Sequence, residues 1–145
     1  MRYRNRRAGR DTGRVSVFMA VAITGLIAVF GVAVDGTGQL RALMRAENIA
    51  AEAARAAGQA IDTDAVAAAG EHRVSGAKAV QYASEYLATA GHDIPNSAWS
   101  VQLNADGTAV DIVVQLPYDR RIVDLFGFSD TVQVTGTATA VLVTG

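Results

Sequence analysis

The apolar positions of this chain form one uninterrupted block near the N-terminus. The block covers residues 15–34, VSVFMAVAITGLIAVFGVAV, which carry no charge and have hydroxyls only at Ser16 and Thr24. A helix of twenty residues is about 30 Å long, which matches the hydrocarbon thickness of a bilayer. The block therefore predicts a transmembrane helix. A cleaved signal peptide and a buried core helix are the alternatives, although the block is long for the first and lacks the polar face of the second.

A helical pattern resumes directly after this block, because no proline separates the two. Residues 39–57, QLRALMRAENIAAEAARAA, are nearly all strong helix formers, and their apolar side chains share one face. We therefore predict one helix that continues from the span across Gly36 and Gly38. The helix packs inside the chain's own domain or contacts neighbouring subunits, and both can hold for different faces. The candidate contact positions are Ala50, Ala53, Ala54 and Ala57.

Two further helices are predicted before the pattern changes. Asp62 and Asp64 favour the first turn of a short helix that ends near residue 69. Ser75 is a candidate N-cap for a helix over residues 76–90, and a glycine follows as a stop signal.

In the C-terminal third the apolar positions alternate, which is the period of β-strands. Residues 99–103 and 110–116 flank an Asp-Gly turn and predict a β-hairpin, with Pro117 ending its second strand. Residues 131–143 predict a long third strand, in which Gly136 marks a bulge or a close helix approach. The predicted fold class is α+β, with the long helix and a second helix packed against a three-stranded antiparallel sheet.

The charge of the chain is divided between its two ends. The formal net charge is −1, but residues 1–14 carry +5 and the remaining residues carry −6. Because positive residues stay cytoplasmic, we predict a basic cytoplasmic N-terminus (1–14), a transmembrane helix (15–34) and an extracytoplasmic domain (35–145). The same cluster can attract anionic lipid or dock on a cytoplasmic protein, whereas nothing beside it indicates nucleic-acid binding. The predicted topology determinants are Arg2, Arg4, Arg6, Arg7, Arg10 and Arg14.

The small residues of the span and the acid at its end are candidates for contacts with other helices. Ala20, Thr24 and Ala28 repeat every four residues, and small residues at that spacing let transmembrane helices meet closely. Asp35 ends the apolar block. It is either a boundary residue at the outer interface or the partner of an arginine, in this domain or in another protein.

No constellation of reactive side chains is visible in the sequence. The chain has no cysteine, and His72 and His92 lack the spacing of a metal site. Nucleotide-binding, zinc-protease and nucleophile-elbow motifs are absent. We therefore expect no catalytic, cofactor or metal site and no small-molecule substrate. The apolar stretch at residues 122–128, IVDLFGF, is either a satellite core beneath the sheet or an exposed patch.

Four strings of the chain have counterparts in one protein family. GRVSVFMAVA opens the span, and VAVDGTGQLRALMRAENIAAEAARAAGQ places an Asp at the end of the span before an alanine-rich helix. A helix end at Tyr86, Leu87 and Gly91 and a closing Val-x-Val-Thr-x-x-Ala-x-Ala strand follow. These strings resemble the TadE/TadG-like proteins of the tight-adherence (Tad or Flp) pilus system, in particular actinobacterial members. The resemblance covers residues 13–145 and is distinctive over 15–57.

The resemblance implies a pilin-like fold and a non-enzymatic, membrane-anchored, pseudopilin-like component of a Tad/Flp-type pilus assembly or secretion apparatus. Its partners would be membrane lipid and other pilus-assembly proteins. The resemblance also implies a processing site at Gly13. Members of the pseudopilin type carry Glu at the fifth position after that glycine, where this chain has Phe18, so an uncleaved single-pass protein is the alternative. The alternative function is a membrane-anchored extracytoplasmic binding or sensor module unrelated to pili.

Overall fold

In the part of the chain that the structure describes, the fold consists of two helices and one sheet. The structure is a computed structural model and describes residues 8–60, 75–122, 124, 127 and 131–142. The strands form a single antiparallel sheet in the order β1–β2–β3, which confirms the predicted α+β class. The elements are α1 (Ala8–Gly58), α2 (Gly76–Gly91), β1 (Ala98–Leu103), β2 (Ala109–Asp119) and β3 (Thr131–Val141).

Helix α1 runs through Gly36 and Gly38 without a break, as predicted. It has 51 residues and is therefore roughly 75 Å long. Glycine weakens a helix but keeps its backbone N–H, so the ladder of hydrogen bonds continues where a proline would have ended it. The predicted short helix at residues 62–69 lies outside the described residues.

The C-terminal half of α1 is the spine of the core. It packs against β2, β3 and α2, and the side chains that it buries there are alanines. Because these side chains end at a methyl group, the helix axis can lie close to the sheet. The core residues of α1 are Ala46, Ala50, Ala53 and Ala57, and those of the other elements are Ala79, Ala83, Leu87, Val110, Ile112, Val114, Leu116, Val134 and Ala140.

The closest approach of helix and sheet lies at Gly136 of β3. This glycine is buried, and a Cβ atom on it would overlap the peptide unit that joins Ala46 to Glu47 in α1. Gly136 pairs regularly with Val114 of β2. Of the two predicted meanings of this glycine, the close helix approach is therefore confirmed.

Strand β2 extends to Asp119, and the predicted end at Pro117 is wrong by two residues. The pairing with β1 stops at Gln115, which lies opposite Ala98. Beyond Gln115, β2 pairs with β3 alone among the described strands, and Pro117 lies opposite Gln133. A proline is tolerated at such an open edge, because the N–H group that it lacks has no strand to bond there.

The ends of α2 and of the hairpin follow the sequence with one difference. Ser75 has the extended backbone of an N-cap, but its hydroxyl makes no capping hydrogen bond. Its carbonyl instead accepts a bond from the Ala79 N–H at 2.8 Å. In the predicted turn, Gly107 has φ +67° and the Asn104 Oδ1 accepts a bond from the Thr108 N–H at 2.8 Å.

Candidate membrane anchor and its junction with the domain

The N-terminal half of α1 is apolar and lies outside the domain. The helix contains a stretch that is long and apolar enough to cross a membrane, and only 6% of its most apolar 18-residue window is buried. A core helix would instead be mostly covered by its own fold. The exposed large side chains are Val15, Val17, Phe18, Met19, Val21, Ile23, Leu26, Ile27, Val29, Phe30, Val32 and Val34.

Both hydroxyl groups of this segment are satisfied by the helix itself. Ser16 Oγ donates to the Gly13 carbonyl at 3.1 Å, and Thr24 Oγ1 donates to the Ala20 carbonyl at 2.9 Å. In an apolar medium an unbonded hydroxyl costs several kcal/mol, by order of magnitude. The segment therefore suits a lipid environment despite its two polar side chains.

Among the described residues, α1 contacts the domain from Gly31 onward, three residues before the predicted end of the span. Gly31 is buried, and a Cβ atom on it would lie 2.6 Å from Ile122 Cγ2. Seven residues further along the same face, a Cβ atom on Gly38 would overlap the phenol group of Tyr118. The two glycines thus let side chains from the end of β2 and the residues after it rest against the helix backbone.

Asp35 lies between these two glycines and is 5% exposed. Its Oδ1 accepts a hydrogen bond from the Arg121 N–H at 3.0 Å, and its Oδ2 accepts one from the Ile122 N–H at 3.1 Å. Bonds to an ionised acceptor are roughly twice as strong as bonds between neutral groups. The carboxylate therefore ties the segment after β2 to the helix.

We call this contact the junction and define it by Gly31, Asp35 and Gly38 on α1 together with Tyr118, Arg121 and Ile122. It joins two parts of the chain that lie 86 residues apart in sequence at the Asp35–Arg121 bond. The role of the Asp35 carboxylate is to hold the two parts in place, because it accepts hydrogen bonds from the backbone N–H groups of Arg121 and Ile122. The junction fixes the domain at the C-terminal end of the apolar segment.

The predicted association residues fall into two groups. Ala50, Ala53 and Ala57 are fully buried within the chain, and Ala54 is half-buried against the same core. These alanines pack on the chain's own sheet and second helix, which is the first of the two expected roles of this face. A contact of the helix with neighbouring subunits stays a prediction. In the apolar segment, Ala20, Thr24 and Ala28 are exposed, and their contact with other helices stays a prediction.

Of the predicted topology and processing residues, Arg10, Gly13 and Arg14 lie in the part of α1 that is remote from the domain. Arg14 is exposed, and outside the neighbouring turns of the helix no described atom lies within 4 Å of a Cβ placed on Gly13. Arg10 falls within α1. The remaining predicted arginines, which lie outside the described residues, are Arg2, Arg4, Arg6 and Arg7.

The sequence interpretation missed most of the junction. It singled out Asp35 as a boundary residue or as the partner of an arginine, whereas the acceptor role of Asp35 toward the backbone N–H groups of Arg121 and Ile122 was not foreseen. A signal was present, because Gly31, Asp35, Gly38, Ala42 and Ala46 recur at intervals of three or four residues and continue the alanine face back into the span. Such a row predicts a close contact along the whole face but does not name its partner.

The described residues contain no group of three or more His, Cys, Asp or Glu side chains that could hold a metal ion. His92 is exposed beside Asp93, and His72 lies outside the described residues. Comparisons of the chain with protein-family models, with curated proteins and with solved structures find no match. The fold and the junction together define an α+β domain held on a helix whose N-terminal half is apolar and exposed.

Proposed function

We propose that this chain is a non-enzymatic, membrane-anchored, pseudopilin-like component of a Tad/Flp-type pilus assembly or secretion apparatus. The observation that carries the proposal is the single helix Ala8–Gly58, which is exposed and apolar in its first half and forms the spine of an α+β domain in its second. The resemblance of residues 15–57 to TadE/TadG-like proteins supports the link to a pilus.

In this proposal residues 15–34 cross the membrane once. The exposed apolar side chains of the segment are unfavourable in water, and lipid covers them at no such cost. The basic residues before the span keep the N-terminus in the cytoplasm, so the domain lies outside. Because Asp35 directly follows the span, the junction then holds the domain against the outer surface of the membrane.

The chain acts through contacts with other proteins and not through chemistry. Within the membrane, the row formed by Ala20, Thr24 and Ala28 offers a surface on which a second helix can approach closely. Outside the membrane, the domain docks on other components of the apparatus.

Deletion and complementation test this proposal. In a strain that assembles Tad-type pili, deletion of the gene is expected to abolish piliation, and the wild-type chain is expected to restore it. The double variant Ala20→Leu/Ala28→Leu fills the small-residue row and is expected to restore piliation poorly at normal membrane levels. The control Val21→Leu/Val29→Leu adds bulk to neighbouring positions outside the row and is expected to restore it fully. Pili are counted by electron microscopy, and membrane levels are measured by immunoblot.

Unchanged piliation in the deletion strain would contradict the proposal. That result, together with neighbouring genes that encode no secretion ATPase and no Tad-type membrane platform, would favour a membrane-anchored binding or sensor module. Full restoration by the Ala20→Leu/Ala28→Leu variant would retain the function but reject the small-residue row as its contact surface.

A further inference from the structure

A basic groove lies beside the junction at the outer end of the apolar segment. It has a volume of about 560 Å³ and is lined by one face of α1 between Ala33 and Arg41, by Tyr118 and by Arg121. The groove is bounded on one side by the last residues of the predicted span. With residues 15–34 in the membrane, the groove therefore lies at the boundary between the hydrocarbon core and the headgroups.

Two guanidinium groups line this groove from different elements. Arg41 and Arg121 are exposed, and neither guanidinium makes a hydrogen bond or an ion pair with another described residue. The groove also contains the Asp35 carboxylate, but its oxygens accept bonds from the N–H groups of Arg121 and Ile122. Counted with Asp35, the charged lining carries a net charge of +1 and presents planar donor groups that suit a phosphate bidentately.

The position of the groove along the helix matches the headgroup layer of a bilayer. Arg41 follows Val34, the last residue of the apolar segment, by seven residues, which is about 10 Å along a helix. Side chains on a helix lean toward its N-terminus, so the Arg41 side chain points back toward the membrane. The polar layer on each face of a bilayer is about 5–8 Å thick. The guanidinium of Arg41 is thus within reach of lipid phosphates.

The residues around the groove also suit a membrane interface. Ile122 packs against Gly31, inside the predicted span, so the adjacent Arg121 lies at the level where the span ends. Tyr118 packs its phenol against Gly38. Tyrosine is enriched at this depth because its ring is apolar and its hydroxyl is polar.

We propose that this groove binds the headgroup phosphate of an anionic phospholipid in the leaflet that faces the domain. The inference rests on the part of the proposed function that places residues 15–34 across the membrane, but not on a role in pili. Arg41 and Arg121 clasp the phosphate from two sides. A bound lipid thereby holds α1 and the segment after β2 together at the membrane surface, alongside the Asp35 bonds.

Native mass spectrometry of the full chain tests the proposal. The chain is released from nanodiscs that contain equal amounts of phosphatidylglycerol and phosphatidylcholine, and the retained lipid is identified by mass. The wild-type chain is expected to retain phosphatidylglycerol preferentially. The variant Arg41→Gln/Arg121→Gln is expected to retain about tenfold less of it. The substitutions remove charge-assisted hydrogen bonds to the phosphate, and the loss of even one such bond corresponds to about a tenfold weaker affinity. The control Arg45→Gln/Arg120→Gln removes the same charge from neighbouring positions that do not line the groove and is expected to behave as wild type.

Three outcomes would overturn the proposal. Equal retention of both lipids by the wild-type chain would show that the groove does not select anionic headgroups. Equal loss in the control and groove variants would show diffuse attraction between charges and no site. Release of the lipid by millimolar inorganic phosphate would assign the groove to the free anion. Extraction of the same membranes with alkaline carbonate reports separately on the span, because a chain that does not span the membrane is released by it.

Discussion

Replacing Gly136 with valine is expected to lower the melting temperature of the domain by about 4–24 °C. A side chain at this position meets the backbone of α1 at Ala46 and Glu47, and not a flexible side chain that can rotate away. The helix must therefore lift off the sheet along the face that holds the core. Overpacking of this kind costs about 1–3 kcal/mol and occasionally more. Each kcal/mol lowers the melting temperature of a domain of this size by roughly 4–8 °C.

The sign of the change in stability distinguishes the effect of packing from the effect of β-propensity. Valine has a higher β-propensity than glycine, so propensity alone predicts that Gly136→Val stabilises β3. The matched control Thr137→Val places the same side chain at the exposed neighbouring position of the strand. The fluorescence of Trp99, the only tryptophan, reports unfolding of the full chain in detergent micelles. A melting temperature for Gly136→Val equal to that of the control would contradict the close approach.

Replacing Asp35 with alanine is expected to accelerate tryptic cleavage after Arg120 and Arg121 by about tenfold or more. The change leaves the N–H groups of Arg121 and Ile122 without their acceptor. The two bonds are part-buried, so we expect a cost of about 1–2 kcal/mol, in the lower part of the range of about 1–3 kcal/mol that applies to a buried donor without a partner. That cost shifts the local equilibrium toward an open form in which trypsin reaches the chain.

The cleavage experiment has a control on the sheet. Asp111 is exposed, and its Oδ1 accepts a bond from the Thr139 hydroxyl at 2.7 Å. Asp111→Ala therefore removes a carboxylate and one hydrogen bond without touching the junction, and it is expected to leave the cleavage rate after Arg120 and Arg121 unchanged. The cleaved bonds are identified by mass spectrometry of the fragments. Equal rates in wild type and Asp35→Ala would mean that Asp35 does not tie the segment after β2 to α1.

Local patterns were sufficient to predict the elements of this fold. The strong helix formers after Gly38 outweighed two glycines, and the alternation in residues 110–116 placed β2. Gly136 was informative because a glycine inside a strand has few structural meanings. The strand end predicted at Pro117 was wrong, because a proline ends a strand only where a neighbouring strand needs its N–H group, and β1 stops before that point.

The junction could be predicted only in part. Helical spacing places Gly31, Asp35 and Gly38 on one face, and a buried acid there needs a partner. The partner groups are main-chain N–H groups of Arg121 and Ile122, and every residue except proline has such a group. The side-chain sequence therefore carries no local signal of which loop supplies them.

The stretch at residues 122–128 was predicted as a satellite core or as an exposed patch, and within it the structure describes Ile122, Asp124 and Gly127. Ile122 packs against Gly31 of the apolar segment. For this residue the contact is therefore with the anchor helix.

The central claim is that α1 crosses the membrane and holds its domain on the outer surface. Because the chain has no cysteine, each single variant carries one thiol. Ala8→Cys places it before the span, Ile23→Cys within the span and Ser100→Cys in the domain. A membrane-impermeant maleimide is expected to label Ser100→Cys in intact cells, Ala8→Cys only after permeabilisation, and Ile23→Cys only after denaturation. Labelling of Ile23→Cys in native membranes as readily as Ser100→Cys, or of Ala8→Cys in intact cells, would contradict the claim.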